Sequence, residues 1–359
     1  MDLDLFMDML AFSSTSGSER AFAQFLMERL RTSGCEVSAR EVGDGTLNVL
    51  LDWSGTGRPS FVFCTHMDTV PPYIAPSMEQ VRAGDILPDG NRASQDDTIF
   101  KGRGTCDAKG QIFSMYCACL ELQKQGFRDF GLLILSGEET GSFGAKAWTR
   151  DCPGGDFVLV GEPTGNCLVS ASKGTKAFEI TLKGRPCHSG YPEEGRSAVR
   201  MFVDLMNMLD VVEFPEDEIL GRTTWNAGRL VSDNPQNILS PSLTFRLYFR
   251  TTFATDALIH DKLLGACPRG GLSTVEAFGG DEPLEYFSDV EGISSRTVSF
   301  GSDAPRLTGF RRRAICGPGS ILTAHTDNEY VLLSDLLRAV EQDILIFKKA
   351  KKQFCQNSF

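Results

Sequence analysis

Three short apolar runs in the first half of the chain predict buried strands, and each ends in side chains that bind metals. The runs cover 61–65, 132–136 and 157–160. The residues that follow them are His66 with Asp68, Glu138 with Glu139, and Glu162. Ligands bind at the carboxyl ends of parallel strands in open α/β sheets, so we expect these residues to meet in one acidic pocket. A divalent cation would neutralise that pocket, and the pattern therefore predicts a metallohydrolase.

Strand and helix signals alternate along the chain up to about residue 173. A helix is predicted over 19–32, a hairpin around Gly43-Asp44-Gly45 and another helix after Asp107. The segment 84–104, rich in Gly, Asp and Asn, is predicted to be a surface loop that leads into the site. This alternation is typical of an α/β domain in which helices cover the sheet.

The character of the chain changes near Lys173-Gly174. The strands and helices predicted from there to residue 281 form an α+β module of about 110 residues, and α/β features resume afterwards. The chain then ends in a predicted helix over 330–352. We therefore predict a first domain of residues 1–173 and 282–359, interrupted by a second domain of residues 174–281.

Composition restricts the partners and the compartment. The chain has 36 basic and 47 acidic residues and a net charge of -11, which argues against nonspecific nucleic-acid binding. No apolar run approaches the roughly 20 residues that span a bilayer, and the acidic N-terminus lacks the basic region of a signal peptide. The 11 cysteines show no paired spacing, which is typical of a reducing compartment. We expect a cytoplasmic protein without a nucleic-acid or membrane partner.

Two of the four histidines lie in a context that suggests ligation. A lone histidine is more often a satisfied polar residue, but His66 follows a buried strand and has Asp68 nearby as a partner for its ring. His325 follows the Gly-rich turn 317–320, just before the C-terminal helix. His260, in a predicted helix, is expected at the surface.

The acidic candidates each have two interpretations. Asp107, at the start of a predicted helix, is either an N-cap or a metal ligand whose two oxygens bridge two ions. Glu138 and Glu139 either lie in a solvated turn or divide the work, one as a ligand and the other as a base. None of these spacings is diagnostic alone.

Several segments together resemble the co-catalytic di-zinc amidohydrolases, which include acetylornithine deacetylase, succinyl-diaminopimelate desuccinylase, aminoacylase and carboxypeptidase G. Among these enzymes the segments are most similar to those of acetylornithine deacetylase. They are Gly104-Thr105-Cys106-Asp107-Ala108-Lys109-Gly110, Gly161-Glu162-Pro163-Thr164, and Gly317-Pro318-Gly319-Ser320 followed by Ala324-His325. The resemblance implies a zinc-peptidase-like catalytic domain with a central mixed sheet flanked by helices, and an inserted ferredoxin-like α+β lid that forms a homodimer.

The resemblance also implies roles for individual residues. One zinc ion would be bound by His66 and Glu162 and a second by Glu139 and His325, with Asp107 shared between them. Asp68 would orient His66, and Glu138 would be the general base. Cobalt or manganese could replace zinc at oxygen and nitrogen ligands.

The inserted module matches the lid at three positions. His188, often supplied by the partner subunit in this family, would stabilise the oxyanion, and Asn237 and Arg250 would contact the substrate. In the catalytic domain, Ser302 and Gly319 match substrate-side positions.

The sequence departs from the family pattern at Ser197, where Asn is common, and at 326–329, where Pro-Asp-Glu is usual after the histidine. Neither change removes a ligand, but both leave the acyl group and the amino acid open. The leading hypothesis is a zinc-dependent amide hydrolase for N-acyl amino acids, and N-acetylornithine in arginine biosynthesis is its first candidate substrate. The alternatives are a desuccinylase, a dipeptidase or carboxypeptidase on the same scaffold, and a non-catalytic binding protein.

Overall fold

A computed structural model describes residues 1–43, 45–152 and 154–356, which form two compact units. The first unit comprises Met1–Ser170, Tyr286–Arg296 and Ser302–Phe359. The second comprises Ala171–Glu285 and Thr297–Gly301.

The regular elements follow in chain order. Helices α1 to α7 span Leu3–Leu10, Arg20–Arg29, Lys109–Lys124, Phe143–Asp151, Ala198–Asp210, Ile259–Ala266 and Leu333–Gln356. Strands β1 to β8 span Glu36–Gly43, Thr46–Asp52, Phe61–His66, Ser77–Val81, Asp97–Lys101, Phe130–Leu135, Phe157–Val160 and Leu168–Ser172. Strands β9 to β16 span Gly174–Lys183, Thr224–Val231, Ser242–Thr251, Ser273–Asp281, Leu284–Glu285, Ser295–Val298, Arg312–Ile315 and Tyr330–Leu332.

A six-stranded mixed sheet forms the centre of the first unit, in the order β1-β2-β6-β3-β7-β15. Strands β6, β3, β7 and β15 are parallel, whereas β1 and β2 run antiparallel to their neighbours. Strands β3, β6 and β7 are the three apolar runs of the sequence, and every residue in them is buried. The predicted α/β class with a central mixed sheet is confirmed. The predicted hairpin corresponds to β1 and β2, and its Asp44 lies outside the described residues.

The prediction of a loop over 84–104 is wrong in part, because β5 lies within it. Ile99 and Phe100 are fully buried, and β5 forms a three-stranded sheet with β4 and β16. The pairing with β16 joins residues more than two hundred positions apart, for example Phe100 with Val331. Local composition carries no signal of such a distant partner.

Aromatic packing attaches the C-terminal helix to the central sheet. Phe347 of α7 makes edge-to-face contacts with Phe61 at 5.1 Å and with Phe130 at 5.7 Å between ring centroids. Phe61 also stacks on Phe157 at 5.1 Å, so neighbouring strands share the same cluster. Such pairs add roughly 0.5–1.5 kcal/mol each beyond the apolar area they bury. Phe61, Phe130 and Phe157 are the first residues of β3, β6 and β7, so the cluster packs the amino ends of these strands, opposite the ends that carry the polar residues.

The second unit is built on an antiparallel sheet in the order β10-β11-β9-β12, with α5 and α6 packed against it. Burial alternates along β11, whose Phe245, Leu247 and Phe249 are buried, because successive side chains point to opposite faces. The chain order β9-α5-β10-β11-α6-β12 is that of a ferredoxin-like fold.

Within the part of the chain that the structure describes, no helix combines the length and the apolar character needed to cross a membrane. The ten cysteines whose side chains are described are all free.

Candidate metal centre

The three strand ends lie side by side. Strand β3 is hydrogen-bonded in parallel to both β6 and β7, with His66 opposite Leu135 and Cys64 opposite Val160. The residues that follow these strands therefore emerge at one edge of the sheet, as the sequence pattern predicts. His66 ends β3 there, and Glu162 follows β7.

His66 is buried and has a partner at each ring nitrogen. Nδ1 lies 2.9 Å from the main-chain carbonyl oxygen of Asp68 and 3.4 Å from its carboxylate. Nε2 lies 3.0 Å from Oδ1 of Asp107. Burial opposes a charge on the ring, but the hydrogen bonds to Asp107 and Asp68 outweigh it and hold the pKa of His66 well above its usual value. The ring thus lies in a strongly negative environment.

Asp107 lies between two histidines. Its second oxygen, Oδ2, is 3.2 Å from Nε2 of His325. Burial would raise the pKa of Asp107, but the hydrogen bonds from His325 and His66 lower it. The N-cap interpretation is wrong, because α3 begins at Lys109, its N-cap is Ala108, and none of the described side chains caps it. The Asp107 carboxylate is therefore shared between two groups of ligand type.

His325 joins a further carboxylate to this cluster. Its Nε2 is 2.8 Å from Oε1 of Glu139, and hydrogen bonds to Asp107 and Glu139 raise the pKa of His325 to about 10. The backbone of His325 has a left-handed φ of 64°, which is uncommon for a residue with a side chain. The turn before it depends on Gly319, where a Cβ atom would lie 2.3 Å from Cβ of Cys106.

Asp68 fixes the segment that carries Glu138 and Glu139. Its Oδ1 accepts a hydrogen bond from the Glu138 amide at 3.0 Å, and its Oδ2 accepts one from the Glu139 amide at 3.1 Å. Ser16 donates a hydroxyl hydrogen bond of 2.7 Å to the same Oδ2. Asp68 therefore fixes the backbone of Glu138 and Glu139 next to His66. Sequence reasoning missed Ser16, because it lies far from the metal-binding motifs along the chain.

Two glutamates of the pocket carry raised pKa values. Burial raises the pKa of Glu138 well above its usual value, and the negative charges of Asp303 and Glu139 add to the effect. Burial also raises the pKa of Glu162, and the nearby Glu138 adds to it. Oε1 of Glu162 is buried and has no hydrogen-bond partner among the described residues. Burial also raises the pKa of Asp303, to about 7. The sequence analysis gave this carboxyl group no role, although its segment 301–305 matches a substrate-side loop.

The donor atoms fall into overlapping groups that suit a cation. One group is His66, Asp107 and Glu162, and another is Asp107, Glu139 and His325, so Asp107 is common to both. Within each group the ligand atoms lie within 4.8 Å of one another. A third group combines His66 with Glu138 and Glu139. The unpartnered oxygen of Glu162 and the concentration of negative charge fit two divalent cations bound through nitrogen and oxygen.

The other predicted site residues are divided between the units. In the second unit, His188 and Asn237 lie on neighbouring segments, since the Ser189 amide donates to the Asn237 carbonyl oxygen at 2.8 Å. Arg250, in β11, lies over the ring of Tyr248. In the first unit, Ser302 is buried and its hydroxyl oxygen accepts a hydrogen bond from the Ala304 amide.

Comparison with known proteins shows the family to which the chain is similar. The model of peptidase family M20/M25/M40 matches residues 62–259. A probable carboxypeptidase of Aspergillus clavatus is 30% identical over 96% of this chain and 87% of its own length. A probable carboxypeptidase of Aspergillus fumigatus is 31% identical over 93% of this chain and 83% of its own length.

Solved structures share the fold over nearly the whole chain. The aminopeptidase PepT from Bacillus cereus has a TM-score of 0.74 at 21% identity, and the match covers 97% of this chain and 98% of that one. An M20 family metallo-carboxypeptidase from Sulfolobus solfataricus has a TM-score of 0.72 at 16% identity, covering 98% and 99% of the two chains. These likenesses establish the architecture.

Proposed function

The chain belongs to peptidase family M20/M25/M40 and is an enzyme that acts on amide bonds, and from this premise we propose that it hydrolyses the amide bond next to a free α-carboxylate. The substrate class is an N-acyl amino acid or a short peptide. The observation that carries the proposed hydrolysis is the position of the Asp107 carboxylate, 3.0 Å from His66 and 3.2 Å from His325. The free α-carboxylate is proposed because the fungal relatives are named probable carboxypeptidases.

We propose that this cluster holds two zinc ions. His66 and Glu162 would bind one ion, Glu139 and His325 would bind the other, and Asp107 would be shared, in keeping with the two overlapping groups of donor atoms. Nitrogen and oxygen donors without thiolate suit zinc, and cobalt or manganese are alternatives. When bound, two such ions polarise the scissile carbonyl group and lower the pKa of a water molecule.

Glu138 is proposed as the general base. It directly precedes the proposed ligand Glu139, and burial raises its pKa above the usual value, which is the direction that makes a carboxylate a stronger base. A carboxylate oxygen of Glu138 accepts a proton from the attacking water as the water oxygen bonds to the carbonyl carbon. The same oxygen then gives that proton to the amine nitrogen as the carbon–nitrogen bond breaks.

Asp68 is proposed as the residue that orients His66 and the base. Its main-chain carbonyl accepts the hydrogen bond from Nδ1 of His66, which directs Nε2 toward Asp107. Its carboxylate accepts the amide hydrogen bonds of Glu138 and Glu139, so one residue positions a ligand and the base together.

We propose that His188 stabilises the oxyanion. Nδ1 of His188 accepts a hydrogen bond from the Gly190 amide at 3.1 Å, which leaves the ring proton on Nε2 as a donor. The imidazole is exposed and therefore accessible to a ligand. Substrate contacts are proposed for Asn237, Arg250, Ser302 and Gly319, on the family resemblance of their motifs.

Two candidate substrates follow from different observations. The relatives named as probable carboxypeptidases support cleavage of a C-terminal residue from a short peptide. The motifs around Asp107, Glu162 and Gly319 resemble those of acetylornithine deacetylase and support N-acetylornithine. Both substrates present an amide nitrogen whose neighbouring carbon carries a free carboxylate.

A substrate panel tests the proposed function. We expect the zinc-loaded protein to hydrolyse at least one of N-acetylornithine, N-succinyl-diaminopimelate and a set of di- and tripeptides. The C-terminal amide of the best substrate should have a kcat/KM lower by at least about 100-fold, because polar groups that pair with the carboxylate lose their partner. A chelator should abolish turnover, and added zinc should restore it. Turnover that persists without metal, or no turnover of any member, would contradict the proposal.

We also propose a homodimer formed through the second unit. The helix α5 exposes Val199, Val203 and Met208 at 42%, 39% and 49%, which is apolar surface suited to an interface. The expected solution mass is twice 39.3 kDa, and Val203→Asp should shift it toward the single-chain mass. The matched control is Leu322→Asp, at an 83% exposed position of the first unit, which should leave the mass unchanged. A single-chain mass for the wild type at micromolar concentration would refute the dimer.

A further inference from the structure

A buried ion pair lies beside the metal centre and is not used by the proposed reaction. Nη1 of Arg103 is 2.6 Å from Oε2 of Glu329, and the two side chains are only 2% and 0% exposed. Removing both charges from water costs several kcal/mol per ion, so a buried pair is weak evidence for a purely stabilising role. Its contacts indicate a different role.

Glu329 holds the main chain that carries Asp107. Its Oε1 accepts hydrogen bonds from the amides of Cys106 at 3.1 Å and Asp107 at 3.2 Å. The main-chain carbonyl of Glu329 accepts a further hydrogen bond from the Gly102 amide at 3.1 Å. One residue near the C-terminal helix thus fixes both ends of the segment that leads to the shared carboxylate.

Arg103 connects the same segment to the loop of His325. Its Nη1 donates to the main-chain carbonyl of Thr326 at 3.2 Å, and its Nε donates to that of Pro72 at 3.3 Å. Thr326 follows His325, whose left-handed backbone needs support from its surroundings. The planar guanidinium has donors in a fixed geometry, so it sets the spacing of the groups that it joins.

We propose that Arg103 and Glu329 form a positioning pair, which sets the distance between Asp107 and His325 and thereby the affinity of the centre for metal. This inference rests on the proposed function, because the distance matters only if both residues bind the same ion. Neither side chain is assigned contact with the substrate or with the reacting atoms. The pair acts on catalysis by fixing the geometry of the ligands, where a shift of about 1 Å is costly.

The test compares Glu329→Gln with the wild type in three measurements. We expect the affinity for zinc, measured by calorimetry on the metal-free protein, to fall by about 10- to 100-fold, as for other residues that orient ligands. The visible absorption spectrum of the cobalt-loaded protein should change, because it reports ligand geometry. In the proposed reaction kcat should fall, with KM unchanged within about twofold, because the substrate contacts remain.

A matched control and a second variant make the test decisive. Glu79→Gln removes the exposed ion pair between Glu79 and Lys101, whose charged atoms are 2.7 Å apart. Lys101 lies two positions before Arg103 in the sequence. This control should leave the zinc affinity and the cobalt spectrum unchanged. Arg103→Lys keeps the positive charge but loses the planar guanidinium group with its several N–H donors, so it should also alter the cobalt spectrum. It replaces Glu329→Gln in the test if that variant does not fold.

Wild-type zinc affinity and an unchanged cobalt spectrum in a folded variant would overturn the positioning role. The metal measurements need no turnover. A wild type that binds two cobalt ions but hydrolyses no substrate would therefore refute the proposed function and leave the effect of Glu329→Gln on the metal centre measurable.

Discussion

Replacement of Glu138 by glutamine is expected to lower kcat by about 10²- to 10⁴-fold while the protein keeps its zinc. Glutamine has nearly the same shape as glutamate, but its amide cannot take a proton from water at neutral pH. Glu138 lies outside both groups of donor atoms that share Asp107, so its loss should not remove a ligand. Turnover and zinc content measured on the same preparation test this expectation.

The structure also allows a different role for Glu138, as a metal ligand. Glu138 also belongs to the third group of donor atoms, with His66 and Glu139. If Glu138→Gln loses zinc together with activity, Glu138 is a ligand and the assignment of the base is wrong. Full activity would also contradict the assignment. The control Glu28→Gln, at an exposed acid of α2, should match the wild type in both measurements.

Replacement of Asp107 by asparagine is expected to reduce the bound zinc from two ions per chain to one or none and to abolish detectable turnover. The Asp107 carboxylate contacts both His66 and His325, so its loss removes a ligand from both sites at once. Residues that only orient a ligand typically change the affinity for metal by about 10- to 100-fold. The affinity of Asp107→Asn for zinc should therefore fall by more than about 100-fold. Zinc titration of the metal-free variant measures the loss.

Asp68→Asn is the matched comparison for Asp107→Asn. Both substitutions remove one buried carboxylate charge near His66, but only Asp107 is proposed as a ligand. Asp68→Asn should therefore weaken zinc binding by about 10- to 100-fold and keep two ions at saturating zinc. Equal zinc affinities for the two variants would show that Asp107 is not a ligand shared by the two zinc ions.

The centre of the sheet could be predicted from the sequence because β3, β6 and β7 are short, apolar and buried along their whole length. The runs at 61–65, 132–136 and 157–160 correspond closely to β3, β6 and β7, and the polar residues after them emerge at one sheet edge. The resemblance is confirmed at the level of the family, M20/M25/M40. The choice of acetylornithine deacetylase within it stays a proposal, since the fungal relatives carry the name carboxypeptidase.

Long-range contacts account for what the sequence did not determine. The local sequence pattern fitted Asp107 equally well as an N-cap and as a metal ligand. Its partners His66 and His325 lie 41 and 218 positions away along the chain. Glu329 was noted only as part of a departure from the family motif, although its side chain contacts the Asp107 amide. Strand β5 was missed for the same reason, since its partner β16 comes from a distant part of the chain.

An anomalous difference map at the zinc edge, from crystals of the wild-type protein grown with zinc, tests the proposed two-zinc centre most directly. We expect two peaks roughly 3.5–4 Å apart, with one oxygen of Asp107 within about 2.2 Å of each peak. His66 and Glu162 should contact one peak, and Glu139 and His325 the other. No peak at Asp107, or a single peak bound by His66, Glu138 and Glu139, would contradict it.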